Sequence, residues 1–340
     1  MTITEIDPFD DAAFDAWHAT YAAAEQHGRG EWSSDWLLEE SRAAKQARLP
    51  SHEVHVFALV EAGEAVAVAE LELPLLDNPE LAWGKVHTHP RHRRRGHGGA
   101  LLAHLEERAA RAGRTRFVTE TAYPWDAPAD GAGHPDADFL TRRGFVFGIG
   151  DVQRVLDLPV PGDLLASLAA SAAPHHTAYA LRSFAGPVPE EHVADYAALC
   201  AAVSTEAPTG GLDLEPETAD VAAFRAVEEL QARQGRTRHA TVAVAPDGSL
   251  AGYTDLVTSE HDPGRAYQWG TLVRREHRGH RLGLAVKVAN ILHLQARRPD
   301  INVVRTWNAE TNAPMVGVNR AMGFRAVDRL GEFQKMLTAP

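Results

Sequence analysis

Two stretches combine residue types that could do chemistry: Arg93-Arg94-Arg95-Gly96-His97-Gly98-Gly99 and Arg278-Gly279-His280-Arg281-Leu282-Gly283-Leu284. Each follows an apolar, strand-like run and opens an amphipathic helix, over 101–112 in one case and 284–297 in the other. Glycine lets the backbone bring consecutive N–H groups close to a ligand, and a helix start adds unpaired donors and a positive dipole end. Such a nest holds a phosphate or pyrophosphate, and the flanking arginines can add charge-assisted bonds to its oxygens. A solvated basic turn is the blander reading of one copy. Two copies at matched places favour the anion site. No Lys-Ser or Lys-Thr follows either loop, which argues against a P-loop. Each loop also stands in mid-domain after a hairpin, which weakens a dinucleotide fold.

The elements that must position these loops recur in the same order in both halves. Helical material over 9–26 and 34–48, and again over 190–203 and 219–234, precedes antiparallel strands at 54–60 with 65–73 and at 239–245 with 249–257. The strand, loop and helix follow, then a β-branched strand at 115–121 or 302–307. A helix ending in Gly144-Phe145 or Gly323-Phe324 and a closing strand complete each half. The order predicts a mixed α/β (α+β) class: two copies of one domain, each a mixed, mostly antiparallel central sheet flanked by helices. Prolines and glycine at Leu158-Pro159-Val160-Pro161-Gly162 place the boundary, giving domains at 1–160 and 178–340 with a linker at 161–177.

Composition narrows the partners. Of 340 residues, Lys plus Arg number 34 and Asp plus Glu 46, a net charge of −12, which disfavours a broad nucleic-acid face. The single cysteine, Cys200, sits in an apolar helical pattern and reads as core. The 18 histidines offer pairs such as His87 with His89 and His175 with His176, neither with a third ligand at a useful spacing, so no metal is expected. No basic start with an apolar run opens the sequence and no 18-residue apolar stretch occurs. The expectation is a cytoplasmic protein with no membrane or nucleic-acid partner, monomeric or homodimeric.

Arg93-Arg94-Arg95-Gly96-His97-Gly98 matches in full the Arg/Gln-x-x-Gly-x-Gly/Ala signature of the GNAT superfamily of acyl-CoA-dependent N-acyltransferases, and Arg278–Gly283 matches it except at Arg281. The chain resembles that family twice over, as a tandem protein. The resemblance implies acetyl-CoA as cofactor. Its pantetheine arm would pair with backbone at Val86, His87 and Thr88, or at Leu272 and Val273, and its pyrophosphate would lie on the loops. Asn308 and Asn312 fit the Asn that commonly contacts the cofactor. The implied activity is acetyl transfer to a primary amine, by direct attack in a ternary complex, with a small-molecule substrate. The family's usual tyrosine acid falls at Leu140 and Asn319, neither of them Tyr. Leu140 cannot donate, which tilts the working site to residues 179–340, with Asp255, Tyr267 and Asn319 as polar candidates. A catalytically inactive CoA-binding or sensor protein is the alternative. Glu25, Glu31, Asp35, Glu39 and Glu40 make an acidic approach that would attract a cationic amine.

Overall fold

The computed structural model describes residues 2–212 and 214–338. Two compact units are present: Met1–Gly150 with Gly210–Leu212 and Leu330–Pro340, and Asp151–Thr209 with Asp213–Arg329. In chain order the elements are β1 (Thr2–Glu5), α1 (Asp11–Gln26), α2 (Leu38–Gln46), β2 (His52–Glu61), β3 (Glu64–Pro74), β4 (Leu81–Thr88), α3 (His97–Arg111), β5 (Arg116–Pro124), α4 (Pro135–Thr141) and β6 (Val146–Asp157). They continue as α5 (Gly162–Ala172), β7 (Ala180–Ala185), α6 (Val193–Ala201), α7 (Val203–Glu206), α8 (Val221–Arg233) and β8 (Arg236–Val244). The chain ends with β9 (Leu250–Ser259), β10 (Arg265–Val273), α9 (Leu282–Arg297), β11 (Val303–Ala309), α10 (Ala313–Met322) and β12 (Arg325–Met336). The mixed, mostly antiparallel arrangement flanked by helices is the class read from the sequence. No helix among the described residues is long and apolar enough to cross a membrane.

In the first unit β1, β2, β3 and β4 form an antiparallel run, and β4 then pairs parallel with β5. Helix α3 covers this sheet because Leu101, Leu102, Leu105 and Ala109 recur at helical spacing and are all buried. They pack with Phe57, Leu71 and Phe117 and with two residues remote in sequence, Phe145 and Phe333. Helix α1 is fastened by Phe14 and Trp17, whose indole N–H donates to the Phe57 carbonyl at 3.1 Å. Phe333 and the Leu337 N–H, which donates to the Thr115 carbonyl at 2.8 Å, belong to this unit although they lie near residue 340.

The second unit repeats the plan with β7, β8, β9 and β10 antiparallel and β11 parallel to β10. Residues 151–157 of β6 pair with β11. The sequence division therefore differs from the units: 151–160 lies with the second, and 330–338 with the first. The expected linker is largely helix α5, and Leu165 is fully buried against Ile291 and Leu294 of α9. Its apolar face gives the segment a reason to pack. Residues 1 and 340 of that division lie outside the described residues.

Candidate active site

Both loops adopt the same left-handed pattern. Arg94 and Gly96 in the first unit, and Gly279 and Arg281 in the second, have φ between 51° and 89°. The two positive-φ positions turn the chain so that a helix starts immediately after, with Gly96 or Arg281 at its N-cap and no side chain bonded to the free N–H groups. Arg281 adopts the conformation that glycine holds in the other copy, at a cost of about 1–2 kcal/mol. Its guanidinium donates to the Ser171 carbonyl at 3.1 Å, which helps hold it there. Arg93 and Arg278 each turn Nε back onto the strand end, at the Thr88 and Val273 carbonyls.

Beside each loop the parallel strands part. Pairing of β4 with β5 runs from Leu81 to Trp83, and of β10 with β11 from Arg265 to Tyr267. Past these points each gap opens into a cavity. In the first unit it measures about 460 Å³ and is lined by Val86, His87, Thr88, Arg93, Arg94, Gly96, His97, Gly98 and Gly99 among the expected residues. Arg95 is exposed outside that lining. In the second unit the cavity measures about 770 Å³, and Leu272, Val273, Arg278, Gly279, Arg281, Leu282, Gly283, Leu284 and Asn312 line it. His280 instead bonds the His175 carbonyl, and Asn308 the amide of Asn319, outside that lining.

The two cavities differ in chemistry. The first brings together Glu25, Lys85, His87 and Glu120. Lys85 Nζ lies 2.5 Å from Glu120 Oε1, and His87 Nδ1 lies 3.3 Å from Glu25 Oε1. Burial pushes the His87 imidazole below its ordinary value and outweighs the pull of Glu25, so the ring favours its neutral form. Burial would lower Lys85 too, but Glu120 and Glu70 outweigh it and the ammonium is kept. Glu70 is ion-paired with Lys45, and Lys45 and Lys85 together overcome its burial and lower its pKa. Tyr21 stands edge-on to His87 at 5.0 Å, and burial, followed by Glu25, raises its phenol. Arg143 lies across the loop, stacked 3.7 Å over Phe139 and close enough to Gly99 that a methyl group there would meet its Nη2 at 2.8 Å.

In the second unit, counting back from the matched hairpin bonds of His89 and Arg274 puts Leu272 and Gly270 where the first has His87 and Lys85. The cavity there is walled by Pro314, Met315, Val318 and Leu284. Arg278 and Arg275 of the loop are both tied to Glu206, which also lines the cavity, at 2.6 Å and 3.2 Å. In the first unit no acid pairs with Arg94 or Arg95 among the described residues.

The three polar candidates stand outside the second cavity's lining. Asp255 is buried at 4% exposure and accepts from the Gly270 N–H at 2.6 Å, at a bulge where β10 spends one more residue than β9. Burial raises its pKa against the opposing effects of Arg238 and that N–H. The Gln268 amide fills the same bulge, donating to the Asp255 carbonyl at 2.6 Å and the Gly270 carbonyl at 3.1 Å. Tyr267 donates to Asp262 at 3.1 Å and stacks on Trp307. Asn319 is fully buried, accepts from Lys287 at 2.8 Å and donates to Asn308 at 2.5 Å.

Residues 16–145 match the Acetyltransferase (GNAT) family. The first unit is a GNAT domain. A tandem GNAT protein from the clavulanic acid biosynthesis pathway, solved without acetyl-CoA, is similar over 99% of this chain and 98% of its own, at 26% identity and a TM-score of 0.78. A GCN5-related N-acetyltransferase from Sphaerobacter thermophilus is similar over 99% and 95%, at 18% identity and a TM-score of 0.65. The chain as a whole has the tandem GNAT fold. No curated protein sequence matches it.

Sequence reading of the tandem GNAT plan found the loops but not Lys85, Glu120, Arg143 or Glu206. For Lys85 a signal was present: Trp83, Lys85 and His87 alternate on one face of β4, and Tyr21 and Glu25 stand four apart on α1. That α1 lies on that face of β4 is a tertiary fact. Glu206 carries no local pattern that marks it.

Proposed function

We propose that the protein transfers an acetyl group from acetyl-CoA to the primary amine of a small molecule, and that the first unit is the working site. The observation that carries this reading is the neutral-leaning His87 beside Glu25 in the same cavity as a phosphate loop with unpaired arginines. The free N–H groups of His97, Gly98 and Gly99 and the guanidinium of Arg143 suit a pyrophosphate. Acetyl-CoA supplies an activated thioester. The chain has to place the amine against it after its ammonium form has lost a proton to solvent. As the N–C bond forms the C–S bond breaks, CoA leaves as its thiolate, and the protein takes up the one remaining proton the nitrogen sheds. His87 is the acceptor for that proton, with Glu25 stabilising the imidazolium. Glu25 and Glu120 at the cavity wall favour a cationic substrate on approach. The second unit, with Leu272 and Gly270 at the corresponding positions and Glu206 on its loop arginines, takes no part in the proton transfer.

Calorimetric titration of acetyl-CoA into the full chain tests the placement. Arg94→Glu with Arg95→Glu should weaken binding at least tenfold, whereas Arg281→Asp should leave the first-unit affinity unchanged. Loss of all binding in Arg281→Asp alone would move the site to the second unit, as the sequence reading expected. Binding without turnover on any amine would support the CoA-binding or sensor reading, which Leu140 at the usual acid position favours.

A further inference from the structure

We propose a transition-metal site in the first unit formed by Glu61, His92 and His97, of a kind that suits Zn2+. One ligand atom from each of the three lies within 4.8 Å of the others. The residues come from three elements. Glu61 ends β2 at the hairpin tip, where Ala62 and Gly63 take left-handed conformations, and His92 closes the short 3-10 turn Pro90–His92. His97 is the first residue of α3. The left-handed residues Arg94 and Gly96 fold the loop so that the His92 and His97 rings stand 6.5 Å apart between centroids.

What points to a ligand is His97. It is 3% exposed, and neither of its ring nitrogens has a hydrogen-bond partner. Buried polar atoms are ordinarily satisfied, so an orphaned imidazole calls for an explanation. Its Nε2 faces Glu61 Oε2 at 3.8 Å, and His92 Nδ1 is likewise buried without a partner. Glu64 adds a carboxylate 3.5 Å from His92 Nε2. The other copy of the fold is an internal comparison. Leu282 occupies the same first helical position after the left-handed N-cap, is 1% exposed, and packs with Ala245, Ala251 and Val286. The architecture thus takes an apolar residue there, and an imidazole is a departure that packing does not require.

Two imidazoles and one carboxylate with an open position make a set for Zn2+ or Co2+, not for Mg2+ or Ca2+, which prefer oxygen donors. Bonds of about 2.0–2.1 Å require the three atoms to draw in from their present spacing. Glu61 is 44% exposed at its side chain, which gives an ion a way in. The ion would tie the β2–β3 hairpin to both ends of the basic loop.

The test uses the full chain treated with a chelator and then titrated with Co2+ and Zn2+. One equivalent should bind, with a visible ligand-field band for Co2+ that Zn2+ displaces. Glu61→Gln should weaken binding at least tenfold. His97→Leu, which installs the residue the second unit already carries, should abolish the band while circular dichroism is unchanged. Absence of any band, or a band that persists in both variants, would overturn the site. None of these readouts involves acetyl-CoA, so the site and the acyltransferase reading can fail separately.

Discussion

At the scale of residues, what distinguishes the two copies is where ionisable groups stand. His87 is the residue on which the proposed chemistry most depends. His87→Gln should lower kcat by roughly 10²–10⁴-fold with the fold intact. Because burial depresses its pKa, the base stays neutral to lower pH, and the acid limb of kcat/KM should fall below the ordinary 6.5 and vanish in the variant. Lys287 shows the same physics without a cavity. It is 1% exposed, and burial lowers its pKa to about 7. The unfolded chain binds that proton up to the ordinary 10.5, so stability should rise as pH increases from 7 to 10, by on the order of 5 kcal/mol at most. Lys287→Met should flatten this slope in chemical denaturation at the two pH values; an unchanged slope would mean the amine is solvated. Residues of the loops were legible because glycine and arginine in that spacing have few other uses. Asp255 and Asn319 were legible as polar side chains near the loop, but not as members of buried networks at a bulge and beside Lys287, since both depend on contacts remote in sequence.

At the scale of elements, most of the strand and helix order could be read from periodicity, β1 and α7 excepted, and most ends agree to within a few residues. Helices α3 and α9 illustrate why: leucine, valine and alanine spacing on one face fixes which side packs. Membership could not be read. A closing strand carries the same alternation whichever sheet receives it, so β12 looked like the natural end of its own half. Its contribution to the first unit can be weighed at Phe333, which is fully buried among Phe57, Phe117 and Phe145. Phe333→Ala should cost about 3–5 kcal/mol and should weaken acetyl-CoA binding at the first-unit loop. A loss under about 1 kcal/mol in a urea titration would show that this strand is dispensable to that unit. Lys335, ion-paired with Glu106 of α3 at 2.8 Å, adds a smaller, partly exposed contribution.

At the scale of the whole molecule, the two copies of one fold differ in what surrounds their loops. The net charge is −12, yet cations gather at both loops, so positive charge is local against an acidic background. One copy leaves its arginines available and surrounds its cavity with titratable groups; the other neutralises them with Glu206 and lines its cavity with apolar side chains. The first unit also gathers its residues from both ends of the sequence. During synthesis, residues 1–150 emerge first but cannot close their core until Phe333 leaves the ribosome. The second unit, whose residues all precede Leu330, is whole before the first. Until then the edge of β5 that β12 covers in the folded sheet is unpaired on the nascent chain and open to wrong pairing.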